Sequence, residues 1–292
     1  MDPRIRLPED FLVSMDASLT ATPAEPAPAA SVILMRDGVD GPEVYLQMRA
    51  ATMAFAGGRP AFPGGKVDAA DSVSVTDWTG PSVKRWAHHL GTDPATAHSL
   101  VCAAVRETFE ETGYLLASPV DGAPLTELDS DEWHREREAL AAHDMSLADL
   151  LARHRLALRA DWLRPWSVWI TPEFEPRRYH TWFLAARVPI GQRVLGVSTE
   201  STTCRWVTAE RAIRLADGGD LALLPPQYCT FLELFEFACV DDVFESQRLL
   251  PVVRPVMATD EAGRYLELPG ELVDLGLRVE SQLHRTDQEA PK

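Results

Sequence analysis

The amino-acid sequence predicts an α/β (α+β) layer fold, a mixed sheet covered by helices. Three observations lead there. Two β-rich runs, "SVILMRDG" and "EVYLQMRA", flank a turn rich in Gly and Asp. The segment "GTDPATAHSLVCAAVRETFEETG" carries punctuation for both ends of a helix. The strand-like runs "WSVWITP", "RRYHTWFLAARVP" and "TTCRWVT" are then followed by further helical pattern. Strands, helix, strands, helices is the order of a layered fold.

In chain order, residues 20–30, "TATPAEPAPAA", are rich in Pro and Ala. They predict an extended N-terminal arm or linker over 1–30 that cannot build a core. The opening hairpin follows, and "FPGG" closes its sheet portion. Residues 72–92 are polar, carry tryptophan, and are expected to loop out. Asp93 suits an N-cap, Pro94 the first helical position and Gly113 a left-handed stop, which predicts a helix over 94–112.

Residues 124–160 are charged with helical period. Trp166, Trp169, Trp182 and Phe183 give the next strands apolar surface. Thr208 caps a further helix with Gly218 near its end, and "PPQYCTFLELFEFACVDDVFESQR" continues the helical addition across 209–250. "GRYLELPG" reads as a late strand. The organisation expected is an arm over 1–30, one domain over 31–275, and a tail over 276–292.

Composition narrows the function. The 292-residue chain has a net charge of -16, which argues against a general nucleic-acid binder with its basic face. An anionic small molecule remains open, because a divalent cation can neutralise both the protein's acids and a phosphate. No stretch has the unbroken apolar length of a membrane span. "MDPRIRLPEDFLVSMD" has no apolar signal core and "EAPK" is no S-K-L address, so a cytoplasmic location is expected. Cys102, Cys204, Cys229 and Cys239 form no C-x-x-C pair and read as free, buried small residues.

The sharpest constellation is "RETFEETG". Glu107, Glu110 and Glu111 fall on one helix face, with Val101, Val105, Thr108, Phe109 and Thr112 on roughly the other. Three such carboxylates repel one another. The face is therefore either fully solvated, as charge runs usually are, or covered by a cation. Upstream, the Gly64-Gly65 pair has no Cβ to block a hard metal from a backbone carbonyl.

These residues resemble the Nudix box, G-x5-E-x7-R-E-U-x-E-E-x-G-U with U bulky and apolar. The alignment runs through Gly65, Asp71, Arg106, Glu107, Glu110, Glu111 and Gly113. Asp71 stands where Glu is usual, Thr108 occupies an apolar position, and residues 72–105 replace the short spacer. The chain is similar to the peroxisomal acyl-coenzyme A diphosphatase subfamily, whose box is also split. The likeness includes "MAFAGGRPAFPGGKVDAAD", "LRPWSVWITPEFEPRRYHTWFLA" and "LLPPQY", and covers about residues 32–270. Against a motif that precedes the box in another coenzyme A branch, Arg49, Met53, Gly58 and Phe62 match, whereas Ala50, Ala56 and Pro60 do not.

The resemblance implies a Nudix-type α/β/α sandwich with helical insertions. It implies a hydrolase for a small nucleoside-diphosphate substrate, with Mg2+ or Mn2+ as cofactor. Glu110 and Glu111 become direct metal ligands, joined by the Gly65 carbonyl. Glu107 is a further ligand or the base that deprotonates water, with Arg106 holding it. Glu200, in the loop before Trp206, is a candidate outer ligand, with Glu173 and Glu175 behind it. Asp71 is expected to lose its part, since the insert separates it from the helix.

Arg49, Arg59, Arg177 and Arg178 are candidate phosphate contacts, because guanidinium binds phosphate bidentately. Tyr179 or a tryptophan could stack on a base, although core packing suits most of the tryptophans. His88, His89 and His98 read as solvent-exposed rather than as a zinc site. Three functions fit: cleavage of coenzyme A or acyl-coenzyme A, cleavage of ADP-ribose, dinucleotides or nucleotide sugars, and nucleotide sensing without cleavage. Retention of Glu107, Glu110 and Glu111 favours catalysis.

Overall fold

The computed structural model describes residues 5–6, 22–49, 57–192, 201–261 and 263–289. In chain order, β1 (Ile5–Arg6), β2 (Ala27–Gly38), β3 (Gly41–Arg49), β4 (Pro60–Ala61), β5 (Gly64–Lys66) and β6 (Trp78–Thr79) lead to α1 (Val83–Leu90) and α2 (Pro94–Thr112). Then come β7 (Ala117–Pro119), α3 (Asp131–Ala141), α4 (Leu147–Arg153), β8 (Leu156–Arg159), β9 (Leu163–Ile170), β10 (Tyr179–Arg187) and β11 (Ser201–Thr208). The last elements are α5 (Ala209–Asp217), α6 (Pro225–Leu234), α7 (Val240–Glu245), β12 (Val252–Val253), β13 (Val256–Asp260), β14 (Gly263–Glu267) and α8 (Gly270–Glu289).

The principal sheet runs β11-β3-β2-β10-β9-β12, with β4 on β3 and β5 on β2. It is mixed: β2 is parallel to β10 and antiparallel to β3. β2 is apolar without alternation because both its faces are covered. Val32 and Leu34 enter the core beneath α1 and α2, while Ile33 and Met35 enter the core formed with α5 to α8. This is the α/β/α sandwich that the sequence predicts.

A fork in the sheet positions the site. β2 and β3 pair over Met35–Gly38 and then splay apart. The chain from 60 to 66 fills the fork: β4 pairs with Gln47 and Met48, and β5 pairs with Ala29, Ala30 and Ser31. Gly64 can enter only because it lacks a side chain. A Cβ there would lie 2.4 Å from the Ala30 carbonyl oxygen and 2.6 Å from the Ser31 Cα, at a φ of +152°.

Helix α2 has the punctuation read from its sequence. The Asp93 carboxylate accepts from the N–H groups of Ala95 and Thr96, Pro94 is the first residue, and Gly113 closes the helix at φ 80°. Thr108 is fully buried at its apolar position. Its hydroxyl donates to the Ala104 carbonyl at 2.7 Å, so no polar atom is stranded.

Three expectations change. Residues 72–92 are not a loop: α1 buries Trp86, Ala87 and Leu90, and the Trp182 indole donates to the Leu90 carbonyl. The arm does not reach to 30, since Ala27–Ala30 already belong to β2, with Ala29 and Ala30 buried. Residues 276–289 do not trail as a tail. They continue α8, which buries Leu275, Val279 and Leu283 in the second core.

Candidate active site

Strands β2, β3, β4, β5 and β10 and helices α2, α3 and α6 line one cavity of about 600 Å³. β5 and the C-terminal half of α2 supply Gly64, Gly65, Lys66, Arg106, Glu107, Glu110 and Glu111. β3 supplies Arg49, α3 supplies Arg137, and β10 supplies Tyr179.

Arg106 organises the acidic side. It is 3% exposed, and each of its five N–H donors has a partner. Nε and Nη2 grip the two Asp71 carboxylate oxygens at 2.8 and 3.0 Å. Nη2 also donates to the Lys66 carbonyl at 3.1 Å. Nη1 reaches Glu107 at 2.8 Å and Glu110 at 3.2 Å. Burial alone would weaken the guanidinium's hold on its proton, but Asp71, Glu107 and Glu110 outweigh it and raise its pKa. Asp71 is therefore no bystander, contrary to the expectation from chain distance. The 3-10 turn Ala69–Ser72 fixes it, and the Asp68 N–H donates to its carboxylate at 2.8 Å.

Glu111 is held from the other side. Its carboxylate accepts from the Gln47 side chain at 2.5 Å and from the Gly64 N–H at 2.7 Å. Burial pushes its pKa up to about 8, Glu107 adds repulsion, and Gly64, Arg49 and Gln47 oppose the shift. Glu107 is pushed up to about 7, first by burial and then by Glu110, against the pull of Arg106. Gly65 sits directly on Glu107, where a Cβ would lie 2.5 Å from a carboxylate oxygen.

Two carboxylates with raised pKa values, Glu111 buried and Glu107 partly buried, beside Glu110, all hard oxygen donors, fit a divalent cation of the Mg2+ type. A tighter group, Glu132, Glu136 and His154, has ligand atoms within 4.8 Å of one another. It lies off the cavity wall, and Arg153 already pairs with Glu136 at 2.9 Å.

The remaining site residues divide clearly. Arg49 lines the cavity, whereas Arg59, Arg177 and Arg178 are not on its wall. Arg177 is exposed. Arg178 instead ties strands together, donating to the carbonyls of Thr171 and Ala24. Glu173 and Glu175 are also off the wall. Glu200 lies outside the described residues, as do Ala50, Met53 and Ala56. Trp166, Trp169 and Trp182 are buried in the cores, and of the stacking candidates only Tyr179 reaches the cavity. His88 and His89 are exposed, but His98 is half-buried and stacks on Trp78. The cysteines are free as expected, though Cys204 is exposed rather than buried.

The sequence reading missed Gln47, Lys66 and Arg137. A signal for Arg137 did exist: His134, Arg137, Glu138 and Ala141 recur at helical spacing and all face the cavity.

A sandwich whose carboxylate helix meets a glycine turn in the forked sheet defines a Nudix hydrolase. The crystal structure of a NUDIX hydrolase from Alicyclobacillus acidocaldarius has the same fold, with a TM-score of 0.62 and 24% identity over 78% of this chain and 99% of that one. A family model, the NUDT19 Nudix domain, matches residues 88–234, half of the sequence. The chain belongs to that family. It is similar to the acyl-coenzyme A diphosphatase NUDT19 of Homo sapiens, 27% identical over 86% of this chain and 75% of the human protein. The Xenopus laevis protein of the same description is 26% identical over 61% of this chain, a match that spans about half, 51%, of the frog protein. Among the described residues, no helix is long and apolar enough to cross a membrane.

Proposed function

We propose that this chain hydrolyses the diphosphate of coenzyme A or acyl-coenzyme A, releasing adenosine 3',5'-bisphosphate and (acyl-)phosphopantetheine. The observation that carries the reading is that Glu107, Glu110 and Glu111 share one cavity with Arg49, Lys66 and Gly65. Its volume of about 600 Å³ suits a small-molecule substrate. The coenzyme A assignment draws its support from the relatives described as acyl-coenzyme A diphosphatases.

In this reading Glu110, Glu111 and the Gly65 carbonyl would hold Mg2+ or Mn2+, with Glu107 either a further ligand or the base that deprotonates water. Such an ion neutralises the diphosphate and makes water a better nucleophile. The protein's own groups do the rest. Where Glu107 does not ligate the ion, it is the base that takes a proton from water. Arg106 keeps the Glu107 carboxylate in place through a bond of 2.8 Å. Arg49 offers a guanidinium to the phosphates, as its place on the cavity wall allows.

A second reading is hydrolysis of ADP-ribose, dinucleotides or nucleotide sugars. Ala50, Ala56 and Pro60 keep it open, since they stand where the coenzyme A motif has Ser, His and Val. A third, nucleotide sensing without cleavage, requires that the complete acid set be idle. One panel separates them: coenzyme A, ADP-ribose, NADH and diadenosine polyphosphates, each with Mg2+ or Mn2+. Release of adenosine 3',5'-bisphosphate from coenzyme A is expected. Turnover of ADP-ribose alone would refute the first reading, and nucleotide binding without any turnover would refute both enzyme readings.

A further inference from the structure

Helix α3 belongs to the helical addition, outside the split box, yet it forms a wall of the cavity. His134, Arg137, Glu138 and Ala141 all line it. Intervals of three, one and three place them on one stripe of the helix. Arg137 is the permanent cation of that stripe.

Arg137 is also anchored. Its Nε donates at 2.7 Å to the main-chain carbonyl of Glu110, in the last turn of α2. The bond ties the guanidinium to the helix that carries the three acids. Burial works against its charge, and Tyr45, Glu111 and Glu110 support it.

The substrate's own charge makes such a group necessary. A diphosphate that approaches Glu107, Glu110 and Glu111 meets like charge, and each exposed oxygen needs a donor. Arg106 lines the cavity but has all five donors committed to Asp71, Glu107, Glu110 and the Lys66 carbonyl. Lys66 is exposed, a point charge on a flexible stem. Arg49 and Arg137 bring half-buried guanidinium groups to the same wall, one from the sheet and one from the helix layer.

We propose that Arg137 is a substrate-binding residue. Held by the Glu110 carbonyl, it binds phosphate oxygens of the diphosphate and, with Arg49, brackets that group beside the carboxylate helix. The helical addition thus contributes a charge to recognition rather than only covering the fold. This rests on the reading that the cavity receives a diphosphate.

The test is calorimetric titration of the full chain with ADP in Mg2+ across a range of salt concentrations. Arg137→Gln should weaken binding by about tenfold or more, the scale of a hydrogen bond to a charged group. It should also flatten the salt dependence. Arg135→Gln, an exposed change on the same helix away from the cavity, should leave both unchanged. Equal affinity and salt slope for Arg137→Gln and wild type would overturn the assignment, as would an equal loss in Arg135→Gln. Should the Gln variant fail to fold, Arg137→Lys decides. A lysine carries its donors on one nitrogen and cannot span the Glu110 carbonyl and a phosphate as the guanidinium's Nε and Nη groups do, so a severalfold loss is expected and wild-type affinity refutes the proposal. A wild-type chain that binds no ADP in Mg2+ brings down the diphosphate reading itself, and Arg137 with it.

Discussion

Asp71 and Arg106, 35 residues apart, form a buried bidentate ion pair with bonds of 2.8 and 3.0 Å. The folded insert lies between them in sequence and leaves the pair intact in space. Breaking such a pair strands a charge in the interior. Asp71→Ala should therefore lower stability by about 3 kcal/mol in a urea melt. Arg106 would also cease to hold Glu107, so turnover should fall by about a hundredfold, the scale of a misplaced reacting group. A variant as stable and as active as wild type would show that Lys66, Glu107 and Glu110 alone hold the arginine.

Two adjacent glycines should fail in different ways. A Cβ on Gly64 meets backbone, 2.4 Å from the Ala30 carbonyl oxygen, in the fork of the sheet. Gly64→Ala should lose folded protein before anything else, read as poor recovery or a lowered melting temperature. A Cβ on Gly65 meets only the end of a side chain, the Glu107 carboxylate. That carboxylate can swing away, so Gly65→Ala should melt close to wild type and lose about a hundredfold in turnover. Equal melting losses in both would refute the distinction.

What the sequence made legible was local. The N-cap Asp93, Pro94 and Gly113 mark α2 to the residue, because caps depend on neighbours within one turn. Short-range signals were present in the insert as well. Ser82 caps α1, Gly91 ends it in the left-handed region, and Trp86 and Leu90 lie one turn apart. The polarity of the segment outweighs them and predicts a loop. The failures of longer range share a cause. Distance along the chain says nothing about closure in space, so by itself it gives Asp71 no part in the site. Arginine chemistry also serves several ends, so Arg178, which ties Thr171 to Ala24, could not be told from Arg49, which lines the cavity.

The same limit hid α8, and it yields a prediction. Leu275 and Leu283 are 7% and 6% exposed and pack in the second core. Leu→Ala at either position should destabilise the chain by about 2–3 kcal/mol, by lost burial and residual cavity. Removal of residues beyond 275 should do more, exposing the face built by α5, α6 and α7. Unchanged unfolding of the truncated chain would mean that α8 adds nothing to the core.

The raised carboxylates set a pH dependence of fixed sign. Glu107 and Glu111 have an ordinary value of 4.5 and are pushed up by burial to about 7 and about 8. Between those limits the folded, metal-free chain binds protons that the unfolded chain does not. Stability from these groups is full below the ordinary value and is lost as pH rises through the folded values. The metal-free melting temperature should therefore fall between pH 5.5 and 8.5. Glu111→Gln replaces the buried acid with a neutral group of the same shape. It should flatten that fall, melt above wild type at pH 8.5 without metal, and be inactive. Added Mg2+ should reverse the order at high pH, because a dication on the ionised pair stabilises wild type by its binding free energy and has less to hold in the variant. Differential scanning fluorimetry over this range, with chelator and then with Mg2+, measures all three. A wild-type chain that gains stability towards pH 8.5 in chelator would refute the burial of these two acids as the controlling cause.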